Sequence, residues 1–268
     1  MARTALLNVM VQTAFKAGRS LIRDFGEVEN LQVSRKGPGD FVSAADRRAE
    51  EIMRNELTRA RPTYGLVMEE GGEIEGTDGQ HRWHIDPLDG TTNFLHGIPI
   101  FAISIALERA GEIVAAVVYN PVMDELYTAE RGRGAFLNDR RLRVAGRTDL
   151  PDMVFGTGLP FIGMGDHGRT LRELRYVMPE VAGVRRMGAA ALDLAWTASG
   201  RLDGFWERNL NSWDIAAGIL LVREAGGFVS DFDGKSKMLE SGDVIVGNED
   251  AHKHLLRLLK KAGAPAQE

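Results

Sequence analysis

The stretch WHIDPLDGTTNF, Trp83 to Phe94, sets two aspartates around a proline and follows them with a glycine and two threonines. Asp, Pro and Gly bend a backbone at low cost, so a plain turn is one reading. The preceding residues, RWHID, spell a short strand. Pro87 has no N–H for a sheet ladder, so the chain is expected to leave the sheet at Asp86. Asp89, three residues on, would return across the turn and bring two carboxylates close together. Unscreened, such a pair repels and one member tends to protonate, a conflict that a divalent cation removes. Gly90, Thr91 and Thr92 then open a short helix, whose first N–H groups lack internal partners and face any anion beyond the terminus. Carboxylates for a metal beside donors for a phosphate are the two parts of a metal-assisted phosphoester hydrolysis.

Working outward, the signals change character along the chain. Two helices are expected at Ala5 to Phe25 and Ala44 to Arg59, joined by a loop SRKGPGDFV. From Trp83 to Val144 strands dominate: RWHID, FAISIALER, EIVAAVVYN and DELYTAE, the last two forming a hairpin that turns at Asn120-Pro121. After about Leu150 strands and helices alternate, with helices at Ala189 to Ser199, Ile215 to Ala225 and Asp250 to Lys261. Crossovers mixed with hairpins argue for an α/β (α+β) fold of layered sheets covered by helices. Residues 1–150 and 151–268 are expected to form two subdomains of one compact unit.

Composition narrows the chemistry. The 268 residues are 44% hydrophobic and 26% charged, as in ordinary soluble globular proteins. With no cysteine, disulfides and thiolate metal sites are excluded, and 38 Asp and Glu against 6 His make oxygen the main ligand supply. A formal charge of −5 gives no global reason to expect nucleic-acid binding. Apolar runs such as Ile113 to Tyr119 and Ile215 to Val222 are far shorter than the roughly 20 residues a bilayer span needs. The N-terminal pattern, interrupted by Gln12, Lys16 and Arg19, reads as an amphipathic helix of the mature fold, so a cytoplasmic location is expected by default.

Other acids lie far from this stretch. Glu69 and Glu70 end a strand in LVMEEGGE, Asp214 opens an apolar helix in NSWDIAAG, and Asp46 sits at a helix start in GDFVSAADRRAE. Each has an ordinary explanation as a solvated strand end or an acid at the positive end of a helix dipole. His84 shares a strand face with Asp86, but is expected to be packed or hydrogen-bonded, because the oxygen set is complete without it. Asp166 and His167 in GMGDHG are expected in a mobile glycine-rich loop. Arg131, Arg133, Arg140, Arg141, Arg143 and Arg147 cluster around RGRGAFLND and are expected on a solvated or interface surface, without the aromatic interleaving of a nucleic-acid site.

Taken together, GDFVSAAD, MEEGG, WHIDPLDGTTNF, RGRGAFLND, MGAAALDLAWTASGRLDGFWE and NSWDIAAGILLVREAGG resemble the inositol monophosphatase family of metal-dependent, lithium-sensitive phosphatases, in order and across the whole chain. The resemblance implies a five-layer α-β-α-β-α sandwich of the inositol monophosphatase and fructose-1,6-bisphosphatase type, and a homodimer. It implies Mg²⁺, as two or three ions, held by Glu69, Asp86, Asp89, Asp214 and the Leu88 carbonyl, with Thr91 and Asp46 polarising the attacking water in concert with Glu69. It also implies phosphate contacts from Gly90 and Thr91, and substrate contacts from Ala190, Glu207 and Asp214. Ser43 stands where the family often has threonine, and either Arg35 or Lys36 fills the place of a common lysine. The activity implied is hydrolysis of inositol monophosphate, with histidinol phosphate, fructose 1,6-bisphosphate or a nucleotide phosphate as alternative substrates. A regulatory role with RNA or the transcription machinery is an alternative of another class.

Overall fold

The computed structural model describes residues 3–27, 33–37 and 40–263, with backbone alone between 33 and 43. Helix α1 (Ala5–Phe25) begins where the Thr4 hydroxyl accepts from the N–H of Leu7 at 3.1 Å. It buries Leu7, Met10, Val11, Ala14, Ala17 and Leu21, which recur every three or four residues and so share one face. Between α1 and α2 (Ala44–Ala60) the expected loop is instead an antiparallel hairpin of β1 (Val33–Gly37) and β2 (Asp40–Ser43). A Gly/Pro run marks a hairpin turn as readily as an open loop. The side chains of Arg35, Lys36 and Ser43 lie outside the described residues.

The large sheet contains β3 (Gly65–Met68), β4 (Gly72–Ile74), β5 (His81–Asp89), β6 (Ala102–Arg109), β7 (Glu112–Asn120), β8 (Glu125–Glu130), β9 (Gly134–Leu137) and β10 (Arg140–Arg141). Their order is β10-β9-β8-β7-β6-β5-β3-β4, antiparallel except for the β3–β5 pair. Side chains alternate across it. Ile103, Ile105 and Leu107 of β6 pack toward α1 and α2, while Ala102 and Ala106 face the opposite layer. A second sheet contains β11 (Val154–Thr157), β12 (Gly183–Arg185), β13 (Gly204–Glu207), β14 (Phe228–Ser230) and β15 (Val244–Gly247), in the order β12-β11-β13-β15-β14.

Of the remaining helices, α3 (Thr91–Leu95) is short, α4 (His167–Val177) packs on α8, α5 (Ala190–Ala198) and α6 (Ser212–Glu224) pair with each other, α7 (Met238–Ser241) is a single turn, and α8 is Glu249–Gly263. Every residue of α5 is buried, and α6 is buried from Ile215 to Val222. Helices apolar on all sides belong inside, and these two lie against both β6 and β7 of the large sheet and β15 of the second. Val177, Leu255, Leu258 and Leu259 of α4 and α8 close over Phe155, Trp206 and Ile245 on the far face of the second sheet. Burying a side chain of this size stabilises the fold by roughly 1.5–3 kcal/mol. The layers therefore run α-β-α-β-α, the sandwich expected. Among the described residues no helix is long and apolar enough to cross a membrane.

Two expectations near the site are corrected. The chain does not leave the sheet at Asp86: β5 continues to Asp89 through a bulge, with Asp86 opposite Ser104 and Asp89 opposite Ala102. Three steps along β5 thus span two along β6, and the extra residue accommodates Pro87, which has no N–H to pair. The segment after Asp166 is helix α4 and not an open loop, with Asp166 as its N-cap accepting from the N–H of Arg169 at 2.9 Å.

Candidate active site

The bulge decides how the two aspartates point. In a regular strand, residues three apart face opposite sides, whereas Ser104 and Ala102, two apart on β6, share one. Pairing with them turns Asp86 and Asp89 to the same face, toward α5 and α6. The Ser104 hydroxyl donates to the Trp213 carbonyl at 3.1 Å and pins the start of α6 against that face. Asp214, in the first turn of α6, arrives beside the pair. Its Oδ2 accepts from the N–H of Asn211 at 2.6 Å, the carboxylate half of a capping box. Because this cap precedes the apolar run, α6 starts three residues before the expected Ile215.

Asp86 is 2% exposed, and its Oδ1 accepts from the N–H of Leu88 at 2.8 Å. Burial first, then the charges of Glu69, Asp89 and Asp214, push its carboxyl well above the usual carboxylate range, and it shares a hydrogen bond with Glu69. Burial raises Asp89 to about 7, against the pull of backbone donors from Ala190, Ala191 and Leu192 and with the added push of Glu69. The strongest of those donors, the N–H of Ala191, lies 2.7 Å from Asp89 Oδ2. Burial and Asp89 raise Asp214 to about 7 as well. Asp89 and Asp214 nonetheless keep a partial opening to solvent, so a ligand can reach them.

Beside these acids the Thr91 hydroxyl sits 3.1 Å from Asp46 Oδ1 and 3.1 Å from the Leu88 carbonyl. Asp46 is fully buried in the first turn of α2. Gly90 caps α3 with φ 95°, and a Cβ there would sit 2.9 Å from the Ile100 carbonyl and 3.2 Å from Ala189. Glycine is required on both counts. Glu207 ends β13 against Gly158, where a Cβ would overlap its carboxylate. Burial, Asp214 and Asp89 raise Glu207 to about 8, with Arg186 opposing. A cavity of about 480 Å³ opens between the tip of β11 and the 207–214 segment, lined by Glu69, Trp213, Asp214 and Glu207.

Among the described residues no three His, Asp or Glu side chains close on one point as a loaded metal shell does. The chemistry of the donor set nevertheless fits a hard divalent cation. Glu69, Asp86, Asp89 and Asp214 supply only oxygen, and the three aspartates are raised by burial and by the neighbouring carboxylates, the strain that a cation relieves.

Each residue expected at the site can now be located. Glu69, Asp89 and Asp214 lie within the field of Asp86, Thr91 bonds Asp46, and Glu207 lies within the field of Asp89 and Asp214. Ala190 opens α5, and its N–H is spent on Asp89. His84 stays out: its Nδ1 lies 2.9 Å from the Ser212 hydroxyl and its Nε2 2.8 Å from Glu108, so both ring nitrogens are occupied. Sequence reasoning missed Asp193, which is 1% exposed with Oδ1 unpartnered, and which burial, Glu207 and Asp89 push well above the carboxylate range. A charged residue inside the otherwise small and apolar AALDLAWTA was the available signal.

The chain also matches known proteins in sequence and in fold. The family model described as "Inositol monophosphatase family" matches residues 2–264. A protein named inositol-1-monophosphatase from Mesorhizobium japonicum is 69% identical over 261 residues, covering 97% of this chain and 98% of that one. One named Nus factor SuhB from Pseudomonas aeruginosa is 46% identical, covering 95% and 96%. The crystal structure of the extragenic suppressor protein suhB from Bartonella henselae has a TM-score of 0.94 at 62% identity, covering 96% of this chain and 99% of that one. Sequence and fold agree over nearly the full length, and the chain belongs to the inositol monophosphatase family and is a phosphatase.

Proposed function

We propose that the chain hydrolyses inositol monophosphate to inositol and inorganic phosphate with Mg²⁺. The observation that carries the reading is the Thr91 hydroxyl, held by Asp46 and the Leu88 carbonyl beside the paired acids of β5. Mg²⁺ held as two or three ions by Glu69, Asp86, Asp89, Asp214 and the Leu88 carbonyl would supply Lewis acidity at the phosphate ester and neutralise the departing alkoxide. Thr91, donating to buried Asp46, keeps an oxygen lone pair for a water proton, and so aims that water's oxygen at phosphorus. Glu69, beside Asp86, assists in drawing that proton away. As the new P–O bond forms, the ester P–O bond breaks and the alkoxide takes a proton. The N–H groups of Gly90 and Thr91 hold the phosphate oxygens, Glu207 and Asp214 accept from ring hydroxyls, and the small side chain of Ala190 leaves room for the ring.

In this reading the chain divides its work near residue 150: the first part carries most cation ligands and the water-orienting pair, the second Asp214 and the ring contacts. A homodimer belongs to the same proposal, supported by Ile162, Leu171 and Met178, which are 74%, 67% and 55% exposed. Assays of phosphate release from inositol 1-phosphate, histidinol phosphate, fructose 1,6-bisphosphate and nucleotide monophosphates, with Mg²⁺ and with chelator, test it. Inositol 1-phosphate is expected to turn over only with Mg²⁺. Chelator-resistant turnover, or a preference of several hundredfold for another ester, would overturn it. A second role with the transcription machinery is favoured by the relative named Nus factor SuhB. Titration with RNA polymerase across a salt series checks that role, and an absence of binding at low salt removes it.

A further inference from the structure

The arginines between 131 and 147 take no part in the catalytic centre, and the structure sorts them. Arg131 pairs with Glu112 and Arg147 with Asp203. Arg140, Arg141 and Arg143 instead line, with Arg201, a cavity of about 470 Å³ at the β10 edge of the large sheet. Glu125 is the one acid in that lining, and it is already committed. Arg201 grips both its oxygens, and the Tyr127 hydroxyl donates to Oε2 at 2.7 Å. Asp139, the nearest acid along the chain, is bound to Arg3 at 2.8 Å. The Arg141 guanidinium turns away over the Phe136 ring and against Gly134, so Arg140 and Arg143 are left bordering one concave space with no carboxylate partner among the described residues.

We propose that this cavity binds a small polyanion carrying two or more phosphate groups. Guanidinium forks match phosphate oxygens two at a time, and the Arg140 and Arg143 forks, with Arg201 beside them, offer more donors than a single phosphate uses. The volume lies in the range of about 300–1,000 Å³ typical of small-molecule sites. A nucleic-acid strand is the poorer fit, because strand-binding grooves add aromatic platforms for the bases and this lining has none. The cavity is separate from the catalytic centre. Helix α5 holds Asp89 with its first turn, and its C-cap Ser199 stands in the cavity wall, roughly 14 Å away at 1.5 Å per residue.

Calorimetric titration of the full chain with inorganic tripolyphosphate, in chelator so that the cation-dependent centre does not compete, tests the proposal. Tripolyphosphate is expected to bind at least about tenfold more tightly than orthophosphate, and at least about tenfold more weakly to Arg140→Glu/Arg143→Glu, given the strength of charge-assisted hydrogen bonds. An unchanged melting temperature reports that the double variant is folded, and the milder Arg143→Gln should give a smaller loss in the same direction. No binding to the natural chain, equal affinity in both variants, or binding of a single-stranded RNA without any of tripolyphosphate would each overturn it.

Discussion

The backbone N–H of Ala191 donates to Asp89 Oδ2 at 2.7 Å, so an acid on the large sheet is gripped by the first turn of a helix that packs beneath both sheets. Its position does not depend on its charge, because an amide oxygen accepts the same bond. Asp89→Asn is therefore expected to keep its fold and lose its chemistry. Mg²⁺-dependent phosphate release should fall by roughly a hundred- to a thousandfold, the loss typical of removing one preorganised electrostatic group. Asp214→Asn, which keeps an acceptor for the Asn211 N–H, should behave alike. Turnover beside melting curves checks both, and undiminished turnover in either removes its assignment to the cation.

Thr91 separates geometry from chemistry. Thr91→Ser retains the hydroxyl that reaches Asp46 and should stay within about tenfold of the natural rate. Thr91→Val keeps the shape and loses the hydroxyl, and kcat should drop by about 10²–10⁴ with little change in KM. Equal rates for the serine and valine variants would exclude a water-orienting role.

Without cations, stability should fall as pH rises. Asp89 and Asp214 are raised to about 7, and Asp86 well above the usual range, mainly by burial. The folded chain thus binds more protons than the unfolded chain above the ordinary carboxylate range, and the derivative of unfolding free energy with pH is negative there. The contribution is complete below about pH 4 and is lost as pH climbs through about 7. Melting temperature in chelator should therefore be lower at pH 8 than at pH 5. Adding Mg²⁺ at pH 8 should restore it by mass action. A chelated protein equally stable at both values would mean the acids are not coupled as described.

Gly158 tests the ring contact. An added Cβ overlaps the Glu207 carboxylate, the free end of a flexible side chain, so Gly158→Ala should fold and displace Glu207. KM for inositol 1-phosphate should rise severalfold while kcat changes less, the signature of lost uniform binding. An unchanged KM would place Glu207 outside the substrate contacts.

Much of this was legible in the sequence, for identifiable reasons. The apolar spacing of α1 gives both its ends, Ala5 and Phe25, and alternation places β6 and β7 within a residue. Helix α4 escaped because HGRTLRELRYV buries only Glu173 and Val177, leaving little apolar period to read. The bulge escaped because proline in a strand signals its end unless the register is known. The identities of Glu69 and Asp214 came from resemblance, since no local pattern announces that a strand end and a helix cap will meet the paired acids of β5.

That bulge has a consequence for how such a chain can change over generations. The D-P-L-D spacing is an odd number of steps made even by one extra residue. Were the ladder to β6 to run regularly here, with no extra residue absorbed, the odd spacing would turn one acid to the opposite side of the sheet, where Ile103 and Ile105 pack. Most substitutions can tune this centre by degrees, but loss of the bulge at this one place switches it between present and absent.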